Sequence, residues 1–139
     1  MREFDTGATR DQDETKPDYE GFLSPLVIAR YGEYMHKNRV QADGTLRASD
    51  NWQKGIPLPA YMKSGFRHFV DWWRLHRQPA TAETVDAVEE ALCGVLFNAM
   101  GYLHEILRRR SDQSHCDMYA KALVDEGLTV GNTSDIMGR

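Results

Sequence analysis

Four side chains in this chain have types and spacings suited to metal or acid–base chemistry. His68 and Asp71 stand three residues apart, and so do Glu90 and Cys93. On a helix, residues i and i+3 share a face, so each pair can converge on one point. Two facing helices that each project such a pair inward are a recurring way to hold a divalent ion, because rigid supports bring four donors together. Carboxylates suit Mg or Mn, whereas an imidazole and a thiolate move the preference towards Mn, Co or Zn. A plainer reading uses the same residues. His68 and Asp71 bond each other, Cys93 is a small buried hydrophobe, and Glu89 and Glu90 are acids favourably placed near a helix start.

These pairs must be carried by helices. The longest helical pattern, AETVDAVEEALCGVLFNAMGYLHEILRRR, covers residues 82 to 110. At about 100° per residue, Val85, Val88, Leu92, Val95, Leu96, Ala99, Leu103 and Ile106 form one apolar stripe, assigned to the bundle core. The other side carries Asp86, Glu90, Cys93, Phe97, Gly101 and His104, with Gly94 and Asn98 beside them. An ordinary surface face is filled with Lys, Glu and Gln, so this composition predicts a helix covered on both sides, the second side lining a polar cavity.

A preceding helix is predicted from Leu58 to His76, with Met62, Phe66, Phe69, Val70 and Trp73 as its core stripe. Tyr61, Gly65, His68 and Trp72 occupy a neighbouring strip, with Asp71 adjacent. Thr81 or Thr84 can cap the helix that follows. The first helix begins with Ser24 as N-cap and Pro25 at its first position and runs to about Lys37. Residues 38 to 57, rich in turn formers, read as a long loop. Residues 1 to 21 support no regular element. A short fourth helix ends at Gly127, and the last dozen residues look loose. The architecture is therefore all-α, a small bundle of three main helices and a short C-terminal one. Residues 1–22 form an irregular arm, 23–127 the helical domain and 128–139 a tail.

The 139 residues, 41% of them hydrophobic, are one domain's worth of soluble, globular chain. A formal net charge of −4 argues against a binder of nucleic-acid polymers, which needs a basic surplus to neutralise phosphates. No stretch approaches the roughly 20 apolar residues that cross a bilayer, and MREFDTGATRDQDET has no signal-like apolar segment. A cytoplasmic location follows as the expectation. Cys93 and Cys116 form neither a disulfide framework nor a zinc-finger spacing, and both are expected to be reduced.

The paired residues resemble the MazG-like superfamily of all-α nucleotide pyrophosphohydrolases, which carry ExxE on one helix and ExxD on the next, followed by an apolar run. Here HFVD (His68 to Asp71) stands for ExxE and EALC (Glu90 to Cys93) for ExxD; 18 residues separate them, and GVLFNAMGYL continues the pattern. The stretches FDTGATRD, KPDYEGFLSPLVIARYGEYMHKNR, DNWQKGIP and EEALCGVLFNAMGYLHE are similar to short phage proteins called dATP/dGTP diphosphohydrolases. That likeness covers residues 4 to about 107.

The resemblance implies hydrolysis of a purine dNTP, dGTP or dATP, to the monophosphate and pyrophosphate, with Mg, Mn or Co as cofactor. It also implies a homo-oligomer, dimer or tetramer, and a role in phage nucleotide-pool control in the host cytoplasm. His68, Asp71, Glu90 and Cys93 are the implied metal ligands, and Glu90 or Glu89 the implied base. Lys54, Lys63 and Arg67, with Lys16 and Arg10 from the arm, are candidates for binding phosphate; singly, each also reads as ordinary solvated charge. A purine could stack on Trp52 or Trp72, with Asn98 bonding its edge.

His in place of the first Glu and Cys in place of the last Asp leave two of the family's four carboxylates. One metal or a softer metal, help from Asp86, Glu89, Glu33, Asp18 or Glu20, and loss of hydrolysis all remain open. A catalytically silent nucleotide-binding protein is thus the second expectation, and a purely structural helical adaptor the third.

Overall fold

In the computed structural model, residues 1–11, 15–110 and 115–127 are described, the side chains of 115–119 excepted. The chain divides into two compact units, Met1–Glu33 and Tyr34–Arg139. The first holds a two-stranded antiparallel hairpin, β1 (Arg2–Glu3) and β2 (Thr9–Arg10), then α1 (Tyr19–Phe22) and most of α2 (Pro25–Lys37). This corrects the reading of residues 1 to 21 as lacking regular elements. The hairpin is closed by hydrogen bonds between Phe4 and Ala8 and between Gly7 and Phe4, with Gly7 at φ 80°, a conformation that glycine adopts without steric cost. Asp18 caps α1 by accepting from the Gly21 amide, and the Ser24 hydroxyl accepts from the Val27 amide at the start of α2.

In the second unit, the 38–57 segment is less irregular than a loop. Val40 and Leu46 form a β-bridge, Asp43 accepts from the Thr45 amide and hydroxyl, and Asn51–Lys54 make one 3-10 turn. The main helices are α3 (Leu58–His76) and α4 (Ala82–Arg110), followed by α5 (His115–Asp125). α4 opens on a reciprocal pair: the Thr84 amide donates to the Thr81 hydroxyl, and the Thr81 amide to the Thr84 hydroxyl. At α3, Pro57 supplies no side-chain cap, and the first amide, that of the buried Leu58, donates instead to the Glu126 carboxylate. No helix among the described residues is long and apolar enough to cross a membrane. The tail 128–139, expected to be loose, and the Cys116 side chain lie outside the described residues.

The packing of α3 on α4 differs from the expected one. Buried on α4 are Ala91, Cys93, Gly94, Asn98, Gly101 and Glu105, the side expected to line a cavity. Buried or half-buried on α3 are Leu58, Tyr61, Gly65 and His68. Three contacts set an antiparallel register: Tyr61 rests on Gly101, Asn98 on Gly65, and His68 on Gly94. The apolar stripes assigned to the core are partly open, with Met62, Phe66, Phe69 and Trp73 exposed on α3 and Val85, Leu96, Ala99 and Leu103 exposed on α4. The physical reason lies in the glycines. Small residues let two backbones approach closely, so the seam forms where Gly65, Gly94 and Gly101 leave room for Asn98, His68 and Tyr61.

Candidate functional site

At the α3–α4 seam the His68 ring packs on Gly94, the residue after Cys93. Cys93 is buried and Glu90 half-buried. One helical turn before Cys93, the Glu90 carboxylate forms an ion pair with Lys37 at 2.9 Å. Tyr34, a turn earlier than Lys37, joins the same cluster. Burial pushes its phenol pKa up, proximity to Glu90 and Cys93 adds to the rise, and the Lys37 ammonium opposes it. Tyr34 and Lys37 were missed in the sequence. They lie on another helix at long sequence distance, and nothing in their spacing ties them to Glu90.

The other expected ligand, Asp71, is turned elsewhere. It is paired with Arg74 at 3.2 Å and its side chain is 49% exposed. A divalent ion held by the protein alone needs several donors at one point, and among the described residues no group of three or more His, Cys, Asp and Glu side chains is so placed. His68, Asp71, Glu90 and Cys93 therefore do not fit a metal centre built entirely by the protein. Glu89, the second candidate base, is exposed.

The expected nucleotide contacts are dispersed. Trp52 meets His104 edge-on, ring centroids 4.7 Å apart. His104 is about 21 Å along the helix from Glu90, at 1.5 Å per residue. Trp72 is half-buried and stacks edge-to-face with Phe69 at 5.6 Å. Asn98 is buried, and its amide nitrogen donates to the Gly94 carbonyl at 2.8 Å and to the Ser64 hydroxyl at 3.4 Å. Lys54, Lys63 and Arg67 are exposed, Lys63 and Arg67 on α3 itself; Arg10 and Lys16 are exposed in the first unit.

A second polar cluster lies at the far end of α4. Glu105 is fully buried, and one of its oxygens accepts from Arg108 at 2.7 Å, with Arg109 at 3.7 Å. Arg109 also pairs with Glu126 at 2.9 Å, the residue that caps α3. The other Glu105 oxygen and the Tyr61 hydroxyl are buried without a hydrogen-bond partner. Burial raises the Tyr61 pKa, and the Glu105 charge adds to the rise. The i,i+3 and i,i+4 spacing of Glu105 to Arg108 and Arg109 was a legible signal for this ion-pair network; the burial of the acid was not.

Comparison of the chain with protein-family models, curated proteins and solved structures found no match in any of the three.

Proposed function

We propose that this chain hydrolyses a purine deoxynucleoside triphosphate, dGTP or dATP, to the monophosphate and pyrophosphate. The reading starts from the MazG-like resemblance of the HFVD and EALC pairs. One geometric fact supports it: His68 on Gly94 joins the two helices at a single seam, with Glu90 beside Lys37 and Tyr34. In this reading Glu90 takes the proton of a water attacking the α-phosphorus, the bond from that phosphorus to the bridging oxygen breaks, and pyrophosphate leaves. The Lys37 ammonium, with Lys63 and Arg67 on α3, offsets phosphate charge. Magnesium is commonly bound through one or two carboxylates and the substrate's own phosphates. A divalent ion that arrives already chelated by the nucleotide does not require a centre built by the protein alone.

A second reading, nucleotide binding without turnover, is favoured by the pairing of Asp71 with Arg74. That pairing leaves Glu90 as the one carboxylate of the two motifs at the seam. Incubation with each of the eight common nucleotides and Mg, Mn or Co tests both. Pyrophosphate release from a purine dNTP is expected. No release with any combination overturns the enzyme reading, and calorimetric binding without turnover establishes the second.

A further inference from the structure

α3 presents two neighbouring rows of side chains to solvent. At about 100° per residue, Met62, Phe66, Phe69 and Trp73 fall within about 60° of one another, and they are between 47% and 65% exposed. Lys63, Arg67 and Arg74 form a second row about 110° further round the helix, and all three are exposed. The seam residues Tyr61, Gly65 and His68 lie about 100° away on the other side of the apolar row, so both rows stand clear of the closest contact with α4. Arg77, just past the helix end, holds its guanidinium 5.2 Å from the centre of the Trp73 ring and ties the basic row to the apolar one. Phe66 and Phe69 also wall a groove of about 270 Å³ whose other side is Val95, Ala99 and Tyr102 of α4.

From these rows we infer that α3 docks along the surface of a membrane that carries anionic lipid, its aromatic row entering the headgroup layer and its basic row facing the lipid phosphates and carboxylates. Charge complementarity selects this occupant. Leu58 to Arg77 carries four Lys and Arg side chains against one acid, Asp71, with which Arg74 pairs. The chain as a whole has a formal net charge of −4, so the basic surplus of α3 is local and stands beside the exposed aromatic side chains. A helix with Lys and Arg on its polar face and Trp and Phe on the other lies in the plane of a membrane interface, held by apolar burial and by attraction to anionic headgroups.

The α4 wall of the groove sets no acid against such a surface, since Ala91 to Leu103 contains no charged residue. Length fits a helix lying flat. From Met62 to Trp73 the apolar row runs about 16 Å at 1.5 Å per residue, too short to cross a bilayer, and no helix among the described residues is long and apolar enough to do so. Trp73 suits the boundary because its ring has an apolar body and a polar N–H, the combination enriched at headgroup depth. Lys63 and Arg67 also serve the nucleotide reading, but vesicle binding needs no turnover, so the two readings fail separately.

Cosedimentation of the full chain with vesicles tests it, comparing equimolar phosphatidylserine and phosphatidylcholine with phosphatidylcholine alone. The wild type is expected to sediment with the anionic vesicles and to be released by high salt, which screens the basic row. Each basic side chain near an anionic leaflet contributes about fivefold in affinity. Lys63→Gln combined with Arg67→Gln should therefore weaken binding about 25-fold. Phe66→Asp should abolish it, and Gln53→Ala, outside α3, should bind as the wild type does. Should Phe66→Asp lose its helical circular dichroism, the glutamine pair decides, because it alters exposed side chains alone. A wild type that leaves the anionic vesicles unbound overturns the proposal, whether it then proves to hold a DNA duplex or a second copy of itself. Equal binding to both kinds of vesicle overturns it too, since the basic row then plays no part. Undiminished binding by the glutamine pair moves the contact to another face and has the same consequence.

Discussion

The imidazole of His68 packs so closely on Gly94 that a methyl group at that glycine would meet ring atoms at 2.5 Å. Either the ring or the helix must then move, and overpacking of this kind costs about 1–3 kcal/mol. Gly94→Ala should lower stability in urea by that amount, and combining it with His68→Ala should return part of the loss. A Gly94→Ala variant as stable as the wild type would show that the seam is looser than this contact implies.

Glu90 offers a cleaner separation of stability from function. Its ion pair with Lys37 is partly exposed, with the ammonium side chain 63% accessible, and such pairs contribute only about 0.2–1 kcal/mol. Glu90→Ala should therefore keep the helical circular dichroism and nearly the same melting temperature while abolishing pyrophosphate release. Full turnover in this variant would remove Glu90 from the chemistry.

The Tyr61 hydroxyl is buried with no partner, and an unsatisfied buried polar group carries a desolvation penalty of about 1–3 kcal/mol. Deleting it should cost nothing. Tyr61→Phe is expected to match or exceed wild-type stability at neutral pH, as read from urea midpoints. A clear loss would reveal a hydrogen bond to this hydroxyl.

Alkaline pH should expose the same residue and Tyr34. Both phenols have folded-state pKa values above the ordinary 10.0, mainly through burial, with Glu105 adding at Tyr61 and Glu90 at Tyr34. The folded state thus holds the phenolic proton more tightly than the unfolded state. The resulting stabilisation is complete below about pH 10 and disappears as pH rises through the folded values. The double variant Tyr34→Phe, Tyr61→Phe should lose less stability above pH 10 than the wild type does in parallel urea titrations.

At the other end of α4, Glu105 is fully buried beside Arg108 and Arg109. Removing one partner of a buried pair costs about 3–5 kcal/mol, and the half-exposed Arg108 softens that here. Glu105→Ala should destabilise by about 2–4 kcal/mol, and Arg110→Ala, an exposed neighbour, by less than about 0.5 kcal/mol. Equal small effects would mean that the Glu105 carboxylate contributes nothing.

Local chemistry in the chain was enough to determine α2, α3 and α4, though not the short α1. Ser24 with Pro25, the Thr81 and Thr84 pair, and the breaks at Pro57 and Pro79 bound α2, α3 and α4 where the caps and φ restrictions of those residues demand. The N-terminal hairpin escaped notice because two-residue strands are too short to show alternation. Spacing also placed His68 and Asp71, and Glu90 and Cys93, on common helical faces, since that follows from 3.6 residues per turn. Tertiary structure decided what those faces meet. Hydrophobic periodicity marks a face that avoids water without saying which surface covers it. The close approach allowed by Gly65, Gly94 and Gly101 put the small-residue side of α4 against α3 and left Phe66, Leu96 and Leu103 outside. Tertiary packing also set Lys37 and Tyr34 of α2 beside Glu90, a pairing across more than 50 residues that no local spacing encodes, whereas Asp71 pairs with Arg74 one turn on in its own helix.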